Sequence, residues 1–130
     1  MKTINNFILE KLTLNNQTKL LTKNWSIKDA QDGDIITDVK KSDNSKAIYI
    51  FKNITYMLKQ KNIIMGYCYY DFDKKIFALL NDNCGWFSLD EYDKKFDYWL
   101  STKDEKREFF NAMKNEGYTW DPNKKELTKI

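Results

Sequence analysis

Across residues 47–54, Ile48, Ile50 and Ile54 fall on one side of an extended chain while Tyr49 and Phe51 fall on the other, because successive side chains of a strand point to opposite faces. Residues 76–80 repeat the pattern, with Ile76, Ala78 and Leu80 set against Phe77 and Leu79. Both faces are therefore apolar, one aliphatic and one partly aromatic. A sheet built from such strands cannot leave either face in water, so it must be covered on both sides or curl into a small barrel.

The remaining signals place these strands in a meander. Extended, β-rich runs occur at 35–39, 47–54, 63–70 and 75–80, separated by clusters of Lys, Ser, Asp and Asn or by Asp71-Phe72-Asp73-Lys74. After a loop at 81–85, Trp86-Phe87-Ser88-Leu89 is a further strand candidate. Phe96-Asp97-Tyr98-Trp99-Leu100 reads as a strand in preference to a helix carrying Tyr92, Phe96 and Leu100 four apart. Upstream, Ser26 caps a single helical turn with Asp29 three residues on, and the turn ends at Gly33. The first 24 residues, apolar pairs among asparagines, are expected to form an extension packed on a single domain spanning 25–130.

The last third has the strongest local punctuation. Thr102-Lys103-Asp104-Glu105 is a capping box, Phe109, Phe110 and Met113 make an apolar stripe, and Gly117 occupies the left-handed C′ position. Tyr118-Thr119-Trp120 then leads through Asp121-Pro122-Asn123-Lys124, suited to a type I turn, into a final strand over 125–130. The expected class is α+β: a small antiparallel, strongly curved or barrel-like sheet of about five to seven strands, with one C-terminal helix followed by a β-hairpin.

Composition narrows function by subtraction. The 130 residues suffice for one core, and 42% are hydrophobic. No run approaches the roughly 20 apolar residues of a membrane span, and the start lacks the apolar centre of a secretory signal, so a cytoplasmic protein is expected. Cys68 and Cys84 lack metal or redox spacing and read as reduced thiols. Histidine is absent, which removes the commonest general base and zinc ligand, and the glycines at 33, 66, 85 and 117 stand alone rather than in a phosphate loop. The acidic pairs Asp32 with Asp34, Asp71 with Asp73, and Asp90 with Glu91 and Asp93 could hold a hard cation, but each sits where turn chemistry already favours Asp. No catalytic residue, cofactor or metal is assigned, and Cys84 reads as an ordinary loop thiol.

What remains is a dense set of aromatics and lysines. A net charge of +3 and a sole arginine, Arg107, among 22 basic side chains argue against base-specific readout. Tyr67, Tyr69, Tyr70, Trp86, Tyr98 and Trp99, interleaved with Lys74, Lys75, Lys94 and Lys95, either fill the core or anchor a partner, since Tyr and Trp are common interface anchors. The partner-binding candidates are Tyr67, Tyr69, Trp86, Tyr98, Trp99, Lys94, Lys95 and Arg107.

Two stretches resemble a family of small uncharacterised proteins of bacteria and their phages or prophages. Trp25-Ser26-Ile27-Lys28-Asp29-Ala30-Gln31-Asp32-Gly33-Asp34-Ile35 is similar to its "FSxxDAKxGDVL" opening. Ser101-Thr102-Lys103-Asp104-Glu105-Lys106-Arg107, followed by Glu116-Gly117-Tyr118-Thr119-Trp120-Asp121 and Lys124-Lys125-Glu126-Leu127, resembles its "ATKEQRD...EAGYEWD..KKELKKI" ending. Asn115 departs from the Glu or Lys usual there, and the first 24 residues have no counterpart. The resemblance implies a mobile-element accessory protein in a bacterial cytoplasm that binds a host protein, a nuclease or ribonucleoprotein among the candidates. Its sharpest version is an anti-CRISPR-type inhibitor of an RNA-guided nuclease. The alternative is a weak nucleic-acid-binding domain using lysine and aromatic stacking.

Overall fold

The computed structural model of the chain describes residues 25–52, 64, 66–80 and 87–130. The expected extension over 1–24 and the candidate Trp86 lie outside them. A 3-10 turn at Ile27–Asp29 precedes β1 (Ile35–Lys40), β2 (Lys46–Phe51), β3 (Gly66–Asp71) and β4 (Ile76–Leu79). Then follow α1 (Leu89–Lys95), β5 (Phe96–Leu100), α2 (Lys103–Asn115), β6 (Tyr118–Asp121) and β7 (Glu126–Lys129).

Strands β1 to β5 make one antiparallel sheet in the order β4-β3-β2-β1-β5. The barrel-like closure expected from the two-faced strands does not occur: among the described residues the sheet is open, with β4 and β5 at its two ends. The alternation itself is observed, and each face has its own cover. On one face Ile36, Tyr49, Phe51 and Phe96 pack with Tyr92 of α1 and Ile27 of the 3-10 turn. On the other, Ile48, Ile50, Cys68 and Tyr70 pack with Phe109 and Met113 of α2, and Tyr118 and Trp120 of β6 close over them. With a layer on either side, the central strands are buried on both faces without curling the sheet, while Ile76 and Leu79 on the edge strand β4 stay exposed.

Of the strand expected over 86–89, Trp86 lies outside the described residues and Ser88 makes only an isolated bridge, after which a second helix, α1, starts at Leu89. Its cause is local: the Ser88 side chain accepts from Glu91 N, and the Glu91 carboxylate accepts from Ser88 N, a full capping box. Phe96–Leu100 is a strand, and α1 delivers the chain directly into it.

Aspartate-led turns set the hairpins. Asp71 Oδ1 accepts from Asp73 N and Lys74 N, each at 2.9 Å, and Lys75 turns left-handed at φ 59°. Between β6 and β7, which form a separate antiparallel ladder, Asp121 Oδ1 accepts from Asn123 N at 2.9 Å and Lys124 N at 3.1 Å, and Lys125 has φ 56°. The same five-residue device, Asp-x-[Asp/Asn]-Lys-Lys, is thus used twice.

Helix α2 is held to the sheet by Phe109, which is fully buried between Phe77 and Ile48, Ile50 and Tyr70, whereas Phe110 one residue on is only half-buried. Replacing a fully buried phenylalanine by alanine removes its transfer energy and leaves a cavity. Phe109→Ala should therefore lower the unfolding free energy by about 3–5 kcal/mol in urea titrations, and Phe110→Ala by distinctly less. Equal losses would contradict the packing described.

Candidate partner-binding groove

The site follows from how α2 spends its charges. Thr102 caps the helix by accepting from Glu105 N, and Glu105 Oε1 answers by accepting from Thr102 N at 2.9 Å. The same oxygen accepts from Thr37 Oγ1 at 2.9 Å on β1 and from Trp99 Nε1 at 3.1 Å on β5, while Oε2 meets Lys46 Nζ at 3.1 Å. Burial pushes the Glu105 carboxyl up, but these four donors outweigh it and hold the group below its ordinary value. Glu108 accepts from Tyr70 Oη at 2.8 Å and Lys75 Nζ at 3.3 Å, and Asp104 pairs with Arg107 at 2.8 Å.

The acids of the first turns are thus engaged on the sheet side or along the helix. Along the adjacent side, helical spacing lines up Lys103, Lys106, Phe110 and Lys114, with the buried Met113 at the border of the core. No ion pair is recorded for Lys103, Lys106 or Lys114 among the described residues.

That side of α2 faces β6 across a groove of about 700 Å³. Its residues divide by exposure. Ile35, Phe110, Met113, Tyr118 and Trp120 are buried or half-buried and give an apolar floor, while Lys106, Asn111, Lys114 and Thr119 are exposed and give a polar, basic rim. Trp120 is held by Tyr67, ring to ring at 4.9 Å, and the far end of β7 by the hydrogen bond from Ile130 N to Gly117 O at 2.7 Å. Gly33, at φ 95°, allows the Lys125 stem to cross the groove end, since a Cβ there would lie 2.8 Å from Lys125 Cδ.

The candidates named from sequence do not gather on one surface, because alternation sends them to opposite faces. Tyr67 lies beside the groove, its hydroxyl donating to the Asp32 carboxylate at 3.0 Å. Trp99, 8% exposed, is committed to Glu105. Tyr69 packs on the other face, as does Tyr98, whose hydroxyl donates to Asp93 at 2.6 Å and accepts from Ile27 N at 3.2 Å. Lys94 and Lys95 are exposed on α1, with Lys95 Nζ 5.8 Å from the Phe87 ring centre. Of the seven described candidates, Arg107 is on α2 and Tyr67 packs on a groove residue, Trp120. Sequence reading missed Lys106, Asn111, Lys114 and Trp120, although a lysine series at 103, 106 and 114 around Phe110 is a legible stripe on a helix with a written cap.

One further polar cluster lies inside the fold. Asp38, 7% exposed, accepts from Tyr92 Oη at 2.8 Å, and Tyr92 in turn accepts from Tyr49 Oη at 3.1 Å. Asp38 sits on the face covered by α1, in register between Ala47 and Tyr98. Burial raises its carboxyl to about 7, against the opposing effect of the Tyr92 hydrogen bond. The chain matches no known family model, no curated protein and no solved structure.

Asp38 generates a pH prediction whose sign is fixed. Its folded value of about 7 exceeds the ordinary 3.8, so between these limits the folded state keeps a proton that the unfolded chain has released. The stabilisation is present below the unfolded value and lost as pH rises through the folded one. Glu105, Asp43 and Asp121 are shifted down, so their contributions fade only in acid. With no histidine in the chain, the unfolding free energy from urea titrations should fall between roughly pH 5 and pH 7 with a slope approaching about 1.4 kcal/mol per pH unit. Asp38→Asn, which mimics the neutral acid, should flatten that profile. A variant with an unchanged slope would refute the assignment.

Proposed function

We propose that this is a non-enzymatic binding protein that acts by seating a segment of a partner protein in the groove between α2 and β6. The observation that carries this reading is the groove itself: an apolar floor with Trp120 and Tyr118 held in place, rimmed by exposed lysines. Fixed aromatic and aliphatic surface beside polar groups is the usual make-up of an interface core and its rim. The shielded polar side chains Thr37, Asp38, Tyr92, Ser101 and Glu105 are bound to one another or to the frame.

The resemblance of residues 25–35 and 101–130 to a phage and prophage family would make the partner a bacterial host protein that this chain inhibits or redirects. An RNA-guided nuclease is then the sharpest candidate, the protein acting as an anti-CRISPR-type inhibitor in the host cytoplasm.

The test is affinity purification of the tagged chain from host lysate, with and without nuclease, alongside Thr119→Trp. That substitution fills the groove from an exposed strand position without changing charge. A stoichiometric protein should co-elute, survive nuclease, and fall by about tenfold or more with Thr119→Trp, since a bulky ring at a contact centre displaces the anchor. Lys94→Ala, on the other face, should leave recovery unchanged. Loss of all co-eluting material on nuclease treatment would replace this reading with the nucleic-acid one.

A further inference from the structure

Resting on that reading, we infer that the groove takes an acidic protein segment bearing at least one bulky apolar side chain. The argument is charge complementarity. Along α2 the basic groups Lys106 and Lys114 line the groove and make no ion pair among the described residues, while Asp104, Glu105 and Glu108 are engaged elsewhere. An approaching carboxylate therefore meets cations whose local counter-charges are already committed. Removing it from water beside the half-buried floor strengthens that attraction over its value on an open surface.

Alternative occupants are disfavoured by their own charge. Residues 1–24 carry Lys2, Lys11, Lys19 and Lys23 against Glu10 alone, and residues 53–63 carry Lys59 and Lys61 with no acid. Either segment would bring lysine to lysine. A second copy docking groove to groove would do the same. Nucleic acid would supply negative charge, but stacking needs free ring faces, and Trp120 lies against Tyr67 while Tyr118 is 6.2 Å from Phe77. The floor also includes Ile35 and Met113, which suit aliphatic or aromatic side chains better than bases.

The experiment measures fluorescence anisotropy of four labelled probes with the full chain: a random glutamate–tyrosine copolymer, polyglutamate of equal length, a lysine–tyrosine copolymer and an oligothymidylate. The copolymer should bind about tenfold more tightly than polyglutamate, because each buried ring adds apolar transfer energy. Lys106→Glu/Lys114→Glu should weaken the copolymer by about tenfold or more and gain affinity for a lysine–tyrosine copolymer, whereas Lys94→Glu/Lys95→Glu should change neither. All four positions are exposed, so folding is not at stake.

Equal binding of polyglutamate and copolymer would overturn the inference, as would stronger binding of oligothymidylate or equal losses from the two double variants. If the copolymer does not bind but a Thr119→Trp-sensitive protein is still captured, the acidic chemistry fails and the groove reading stands. If neither is seen, both fail.

Discussion

The carboxylate of Glu105 is the point at which four elements of the fold meet, α2 and the strands β1, β2 and β5. It completes the cap of α2 through Thr102 N and takes Thr37 from β1, Lys46 from β2 and Trp99 from β5. Each donor alone is an ordinary hydrogen bond, but a carboxylate satisfied from four directions in a partly buried setting fixes the rotation of the helix as well as its position. That rotation decides which side of α2 faces the sheet. With Glu105 turned inward, Phe109 and Met113 enter the core, and Lys106 and Lys114 are left on the groove side.

The two covers of the sheet are built differently, and their chemistry diverges accordingly. The α1 side is aromatic and encloses a line of hydroxyls ending on a single carboxylate, Asp38. An acid placed there is pushed towards neutrality because its one described donor cannot replace the water it has lost. The α2 side is aliphatic at its centre and opens at its margin, where β6 stands away from the helix and leaves the groove. The first arrangement makes stability depend on pH, and the second makes a surface that a partner can enter.

Local signals were the most legible part of this chain. The boxes at Ser26 and Thr102, the left-handed Gly117 and the aspartate-led turn at Asp71 can all be read within about five residues, and all occur in the structure. The acidic pairs were correctly legible as turn chemistry at Asp71 and Asp73, the latter also accepting from Lys46 N at 3.0 Å. The box at Ser88 and Glu91 was equally present, but the apolar run Trp86-Phe87 beside it suggested a strand, and the stronger signal at that point was the cap.

The sequence alone determined that the strands are two-faced, because alternation of side chains is a property of any extended backbone and needs no tertiary information. It also determined where helices and turns begin, since caps and Asx turns close over a few bonds. Only the tertiary structure decided that two separate layers, and not closure into a barrel, would bury those faces. It alone brought Lys106 and Lys114 to the edge of Trp120, and enclosed Asp38 beneath α1. These depend on which distant segments pack together, and burial, charge isolation and a groove between two elements come into existence only when that packing is complete.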